Sequence, residues 1–388
     1  MEARQTTIKL TYNGKDISED ISRFITEFRY NDVSQADAID DISLTLEDVA
    51  GLWKSGWMPE IGAKFTAVIE CQNWFTNGDH LSRSCGSFEI DDFTAMGGAN
   101  DPSEVKVSAV AVGISNSIRR QENSRNWESI TIKAITEDIA ARHGFELKWY
   151  SSYNPIMDRW EQKQESDLAF LRRTCEFAGL MLKITDSKLV VWRGEEFDEK
   201  RPELVIKRGQ EGLNNYRFNV NTADVFSAAE VQYWDPIKHE MLTFLYRPDG
   251  LSGIRGTGGT TTTTVGGGHT IDERTRMVTR LEAQRVTTAE PEIVNPPIGQ
   301  VLRINRRVSS LAEAEQVARA ALRTKNMRMV RGNLTFMGNI KLYSGLNIAV
   351  AGFGRFDTVT FQVEEVNHSY NRHAGLKTHA SIRGVISY

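Results

Sequence analysis

Through residues 6–112 of this chain, apolar and polar residues alternate in short runs: Ile42, Leu44 and Leu46, then Phe65, Ala67 and Ile69, then Phe88 and Ile90, then Val105, Val107 and Ala109. A period of two sends successive side chains to opposite faces of a pleated strand, so each run can bury one face and wet the other. Asn13-Gly14, Pro59 with Gly62, Asn77-Gly78 and the glycine-rich stretch ending at Pro102 bend the chain cheaply between the runs. The pattern predicts an antiparallel barrel or sandwich, a first β domain over residues 1–112.

The period then lengthens. Ser129 is a candidate cap for a helix carrying Ile132, Ile135 and Ile139, with Gly144 as its stop. Ser166 is placed to cap a second helix, with Asp167 at its positive end, Leu168, Leu171 and Cys175 on one face, and Gly179 beyond it. With strands predicted at 145–149, 180–185 and 188–192, residues 113–200 read as a small α+β module.

Alternation returns at Tyr216, Phe218 and Val220, and further strands are expected at 229–234 and 241–246. Residues 253–268 are mostly glycine and threonine and offer little apolar surface to offset ordering entropy, so 249–294 is expected to be a flexible insertion, with Asn295-Pro296-Pro297 marking re-entry. Ser310 through Glu313 has the form of a capping box, opening a helix through Ala314, Val317 and Leu322. Strands at 333–336, 346–350, 358–366 and 378–386 complete a second β domain made of 201–248 and 295–388.

A chain of 388 residues is long enough for two or three cores, and a formal net charge of −4 argues against affinity built on neutralising many phosphates. No tight nucleic-acid binding is expected. No uninterrupted apolar run reaches the roughly 18 residues of a membrane span, and the first twelve residues lack the apolar core of a signal peptide. Cys71, Cys85 and Cys175 fit reduced, buried thiols; a Cys71–Cys85 bridge is the alternative.

The segment Gln164-Glu165-Ser166-Asp167-Leu168-Ala169-Phe170-Leu171-Arg172-Arg173, followed by Phe177-Ala178-Gly179-Leu180, resembles the signature helix of the phage late-control protein D and VgrG-type baseplate hubs. Asp41-Ile42-Ser43-Leu44 with Trp53, Trp57, Pro59 and Gly62 is similar to the first barrel of that family. Cys85 through Asp92 resembles its next strand, and Gly352-Phe353-Gly354 with Val363 to His368 and Thr378 its closing hairpins. The resemblance implies a mainly β fold with α+β, in which two similar tube-like β-barrel domains accompany the α+β module. It further implies a homotrimer whose six barrels form a quasi-sixfold ring between a sixfold tail tube and a threefold spike. The implied partners are the tail tube protein, the central spike protein and baseplate wedge proteins, with the tape-measure protein as a further candidate. The implied location is the tail baseplate of a virion or of a phage-tail-like bacteriocin, assembled in the host bacterial cytoplasm. The absence of a fused spike region after residue 388 places the resemblance nearer the phage and bacteriocin hubs than the fused secretion-system proteins.

Catalytic constellations are weak. Asp40-Asp41, Asp91-Asp92, Glu195-Glu196 and Glu364-Glu365 are adjacent pairs, and neighbours on a strand face opposite ways. His368, His373 and His379 lack metal-ligand spacing, Gly256-Thr257-Gly258-Gly259 lacks the lysine of a phosphate loop, and no nucleophile elbow is present. The chain is therefore read as a structural protein with no enzymatic activity, no cofactor and no metal; the alternative is a peptidoglycan-acting or glycan-binding tail component. For assembly contacts the candidates are Trp53 and Trp57, as aromatic anchors, and Arg319, Arg323 and Arg328 in the basic helix and its flank. A solvated face is the simpler explanation of that basic run.

Overall fold

The computed structural model describes residues 3–34, 39–98, 102–111, 118–185, 187–209, 212–235, 239–248, 253–255, 261–265, 269–271, 300–308 and 311–386. The first part forms β1 (Gln5–Tyr12), β2 (Lys15–Asp16), the one-turn helix α1 (Ser18–Ile21), β3 (Ile25–Val33), β4 (Asp41–Glu47), β5 (Lys64–Gln72), β6 (His80–Met96) and β7 (Glu104–Ala111). The alternation acts as expected: in β4, Ile42, Leu44 and Leu46 are buried while the residues between them are only half-covered.

Next come β8 (Glu122–Thr131), α2 (Ile132–His143), β9 (Glu146–Tyr150), β10 (Ile156–Ser166), α3 (Asp167–Phe177), β11 (Leu180–Thr185), β12 (Lys188–Arg193) and α4 (Gly194–Asp198). Strands β11, β12 and β9 make one small sheet, and β8 and β10 a separate two-stranded antiparallel sheet. Ser166 caps α3 by accepting from Ala169 N at 3.2 Å. The cap of α2 is Thr131, which accepts from Ala134 N, and not Ser129. Ser129 lies within β8, because pairing with β10 carries the strand on to Thr131.

The remainder forms β13 (Leu204–Lys207), β14 (Leu213–Val220), β15 (Ala228–Asp235), β16 (Glu240–Tyr246), β17 (Gly253–Arg255), β18 (Thr261–Val265), β19 (His269–Ile271), β20 (Val301–Val308), α5 (Leu311–Asn326), β21 (Val330–Phe336), β22 (Asn347–Ala351), β23 (Thr360–Asn371) and β24 (Gly375–Gly384). Two expectations change here. The described parts of the Gly/Thr-rich segment are not loop: β17, β18 and β19 extend a sheet ordered β19-β18-β17-β16-β15-β20. Threonine is β-branched, and antiparallel pairing to β16 supplies backbone partners that composition alone does not reveal. In addition, β15, β16 and β20 do not join the second main sheet. They pack with Ala314, Val317, Ala318 and Leu322 of α5 in a core of their own. Ser310, Asn295-Pro296-Pro297 and residues 256–260 and 266–268 lie outside the described residues.

The fold is mainly β, dominated by one large sheet ordered β14-β21-β24-β23-β3-β4-β7-β6-β5-β1-β2, with β22 pairing β23 and β13 pairing β22. Its two halves repeat each other: β3-β4-β7-β6-β5-β1 has the order of β14-β21-β24-β23-β22-β13. The correspondence extends to register. A bulge falls between Ile90 and Asp92 where β6 pairs β7, and between Val363 and Glu365 where β23 pairs β24. Aligning the bulges matches Phe88-Glu89-Ile90-Asp91-Asp92 with Phe361-Gln362-Val363-Glu364-Glu365. A second pair of bulges, between Ile25 and Glu27 and between Leu213 and Asn215, matches Phe28-Arg29-Tyr30-Asn31 with Tyr216-Arg217-Phe218-Asn219.

Turn geometry repeats as well. Gly62 N donates to Ile90 O at 2.7 Å, and Gly345 N to Val363 O at 2.7 Å. Both glycines are left-handed, φ +86° and +87°, where a side chain would be strained. The halves differ in two respects. The outermost pairing is antiparallel for β1 with β5 but parallel for β13 with β22, and the second half carries residues 221–329 between its first two strands.

Candidate functional site: an internal seam and two free edges

The halves of the large sheet meet where β23 pairs antiparallel with β3, from Glu365 opposite Val33 to Asn371 opposite Glu27. Phe28 and Tyr30 of β3 are buried there. His368 stacks on Tyr30 with ring centroids 6.1 Å apart. Its Nδ1 lies 2.9 Å from Thr378 Oγ1 and its Nε2 3.3 Å from Leu342 O. Burial pushes the imidazole down to about 4, so His368 is a neutral seam residue at ordinary pH. The segment after β21 folds over the first half: Ile340 belongs to the first core, and Arg83 donates to Ile340 O and Leu342 O, each at 2.9 Å. Trp74 Nε1 donates to Gly338 O. Gly338 has φ +78°, and a Cβ there would lie 2.6 Å from the Trp74 ring, so only glycine fits.

Buried charge locks the remaining parts to this seam. Lys183 on β11 reaches Asp32 Oδ1 at 2.6 Å, Asp40 Oδ1 at 3.1 Å and Ser344 Oγ at 3.0 Å, joining the small sheet to both halves of the large one. Burial disfavours charge on Lys183, but the two carboxylates prevail and hold its ammonium above the usual lysine range. Burial raises Asp40 to about 6 despite Lys183, whereas Lys183 and Ser344 overcome burial at Asp32 and hold it below the usual range.

A second knot centres on Asp198 at the end of α4. It receives Arg383 of β24 at 2.9 Å and pairs with Arg323 of α5. Arg383 also donates to Gln362 Oε1 at 2.6 Å, and burial lowers it to about 10. Within the middle module, Asp167 accepts from Gln162 Nε2 at 2.8 Å and Asn123 Nδ2 at 3.1 Å, and lies 2.8 Å from His143 Nε2 and 3.1 Å from Arg142 Nη1. These partners outweigh burial and keep its carboxyl below the ordinary range.

The ends of the double sheet contrast with the seam. Among the described residues β14 has no partner beyond β21, and β6 from Asp92 onward pairs only with β7. These strands are the counterparts of β3 and β23, which pair with each other inside the chain. Phe28, buried in β3, has an exposed equivalent in β14, and Tyr30 a half-buried one: Tyr216 is 38% exposed, against 0% for Phe28, and Phe218 is half-buried. Tyr216, Phe218, Phe353 and Phe356 form an aromatic cluster along that free edge.

The candidate contact residues divide. Trp53 is 7% exposed and packs edge-on against Phe24 and Trp57 inside the first core, so it supports the surface without forming it. Trp57 is 44% exposed, beside Met58 and Ile61. Arg323 is a correction: it is buried and committed to Asp198, because the helix turns it inward toward a carboxylate far away in sequence. Arg319 bonds Glu195 within the chain, Nε to Oε1 at 2.9 Å. Arg328 is exposed. Several members of the carboxylate pairs are engaged within the chain: Asp40 with Lys183, Glu195 with Arg193 and Arg319, Glu196 with Ser152, and Glu364 near Arg383. Among the described residues no group of His, Cys, Asp and Glu is arranged to hold a metal ion. All three cysteines are buried thiols, with no bridge between Cys71 and Cys85.

Nearly the whole chain shares its fold with solved tail proteins. It is similar to the tail protein from Neisseria meningitidis MC58 at 12% identity, over 97% of this chain and 96% of that one, with a TM-score of 0.63. It is equally similar to the 43 kDa tail protein of prophage MuSo2 from Shewanella oneidensis, at 13% identity, 97% and 98% coverage and a TM-score of 0.63. Against a chain of the Francisella PdpA-VgrG complex the identity is 8% and the TM-score 0.53, over 100% of this chain and 59% of that one. At these identities the likeness is one of fold. No protein-family model matches the chain, and no curated protein matches it.

Proposed function

We propose that this chain is a structural subunit of a tail baseplate, a hub of the late-control protein D type. In this reading three copies close into a ring of six sheet repeats that joins the tail tube to the central spike, with wedge proteins around it. The observation that carries it is the internal repeat, in which β23 of the second half pairs with β3 of the first while, among the described residues, β14 and the last part of β6 keep a free edge. Two unlike ends that copy an internal joint favour head-to-tail association, and such association closes into a ring when the rotation divides a circle. The fold shared with tail proteins supports the setting. The chain needs no substrate for this role, and its buried ion knots serve to hold the parts at fixed angles.

The test is to inactivate the gene in the phage or bacteriocin producer and inspect the particles by electron microscopy. Loss of tails bearing a baseplate and spike is expected, with restoration by the intact gene in trans. Complete, spike-bearing tails without this protein would contradict the proposal.

A further inference from the structure

The repeat correspondence does more than call for a second copy; it supplies a register. Inside the chain, Val366 pairs with Asp32, Asn367 with Asn31, His368 with Tyr30 and Ser369 with Arg29. Carrying β23 onto β6 by the shared bulge, and β3 onto β14 by theirs, converts these pairs into Phe93 with Val220, Thr94 with Asn219, Ala95 with Phe218 and Met96 with Arg217. We infer that the last part of β6 in one copy pairs antiparallel with β14 of a second copy in this register.

The side chains fit the assignment. Phe218 takes the place of Tyr30, and where Tyr30 faces the His368 ring, Phe218 meets the small Ala95. Tyr216, the counterpart of Phe28, meets Gly97. On one face the rings of Phe218 and Tyr216 oppose Ala95 and Gly97 and Phe93 opposes Val220, while Thr94, Asn219, Met96 and Arg217 occupy the other. Among the described residues no strand pairs with β14 beyond β21 or with β6 from Asp92 onward beyond β7, and a partner strand satisfies those edge groups.

An independent observation points to the same occupant. In the internal joint, the segment after β21 covers the first half beside Trp74, in the β5–β6 connection. Its counterpart is the segment after β4, where Val49, Trp57, Met58 and Ile61 are 79%, 44%, 53% and 62% exposed. The counterpart of the β5–β6 connection is the β22–β23 connection, with Phe353 and Phe356. The apolar residues after β4 therefore cover the aromatic edge of the neighbouring copy, and Trp57 is the contact residue of that pair.

This inference rests on the ring reading of the previous section but can fail separately. The test compares two double variants under mild oxidation, with native mass measured in parallel: Thr94→Cys with Asn219→Cys, and the register-shifted Met96→Cys with Asn219→Cys. Directly opposed positions lie within disulfide reach, whereas positions two residues out of register are about 7–8 Å apart and bridge poorly. The expected result is a covalent multi-chain product from the first variant, at least tenfold more abundant than from the second. Assembly by mass with bridging only in the shifted variant, or in neither, overturns the register and leaves the ring reading standing. Single copies at every concentration, with no bridging, overturn both. Hydrogen exchange on the unsubstituted protein guards against misfolded variants: residues 215–221 should exchange at least tenfold more slowly in the assembled fraction than in dilute single copies, and equal rates would overturn the inference.

Discussion

Lys183→Ala is expected to cost about 3–5 kcal/mol of stability at pH 7.5, the range for removing one partner of a buried ion pair. The loss comes from what is left behind. Asp32 and Asp40 have side chains only 8% and 1% exposed, and each keeps only neutral hydrogen-bond donors once the ammonium is gone. The pH dependence separates this cause from simple loss of packing. In the unsubstituted protein Asp40 has a raised pKa, so its protonation favours the folded state as pH falls from about 6 toward its unfolded value. The lowered Asp32 acts oppositely, contributing above its unfolded value and losing that contribution as pH falls below it. Without Lys183 both carboxyls are displaced upward, so the deficit should be largest at neutral pH and shrink toward pH 5. Denaturant unfolding at the two pH values measures this, and a deficit that stays the same at both would contradict it.

The second large effect is expected at Asp198. Its carboxylate serves two guanidinium groups whose side chains are 9% and 4% exposed, those of Arg323 and Arg383. Asp198→Ala removes the carboxylate that both guanidinium groups share and leaves Arg383 only the more distant Glu364 at 3.9 Å, whereas Arg323→Ala leaves Asp198 paired with Arg383. The aspartate variant should therefore lose about 3–5 kcal/mol and be the worse of the two. Equal or smaller loss from Asp198→Ala, in matched denaturant titrations, would show that the knot does not bind the α5 layer to the second sheet as described.

Local signals in the sequence carried the strands with one wet face. β4 and β5 alternate cleanly because one side packs on the core, and Ser166 and Gly144 mark helix ends through chemistry that acts within a few residues. Long-range consequences were not legible. Phe-Arg-Tyr-Asn at residues 28–31 and Tyr-Arg-Phe-Asn at 216–219 are nearly the same word, yet the repeat is hidden because residues 221–329 interrupt the second copy of the pattern but not the first. The pairing of β23 with β3 joins residues more than three hundred positions apart, and no local period encodes it. Arg323 illustrates the same limit. A basic helix looks outward-facing until Asp198, supplied by a different segment, draws one arginine inside. Within the Gly/Thr-rich segment, residues 253–255, 261–265 and 269–271 pair as strands, a long-range outcome that composition alone does not signal.

Of the candidate contact residues, Trp57 lies exposed beside Met58 and Ile61 on a segment whose counterpart covers the internal seam. Trp53, four positions earlier, turns into the core beneath it. The distinction between the two indoles depends on packing that spacing alone does not specify.

The central claim is that one joint, β23 against β3, recurs between copies as β6 against β14 until a ring closes. Native mass spectrometry of the purified full chain, across a concentration series, tests it most directly. A discrete species of three chains, lost when Phe218→Asp burdens the free edge with charge, is the expected result. A single chain at all concentrations, or a closed assembly of two chains related by a twofold axis, would contradict it.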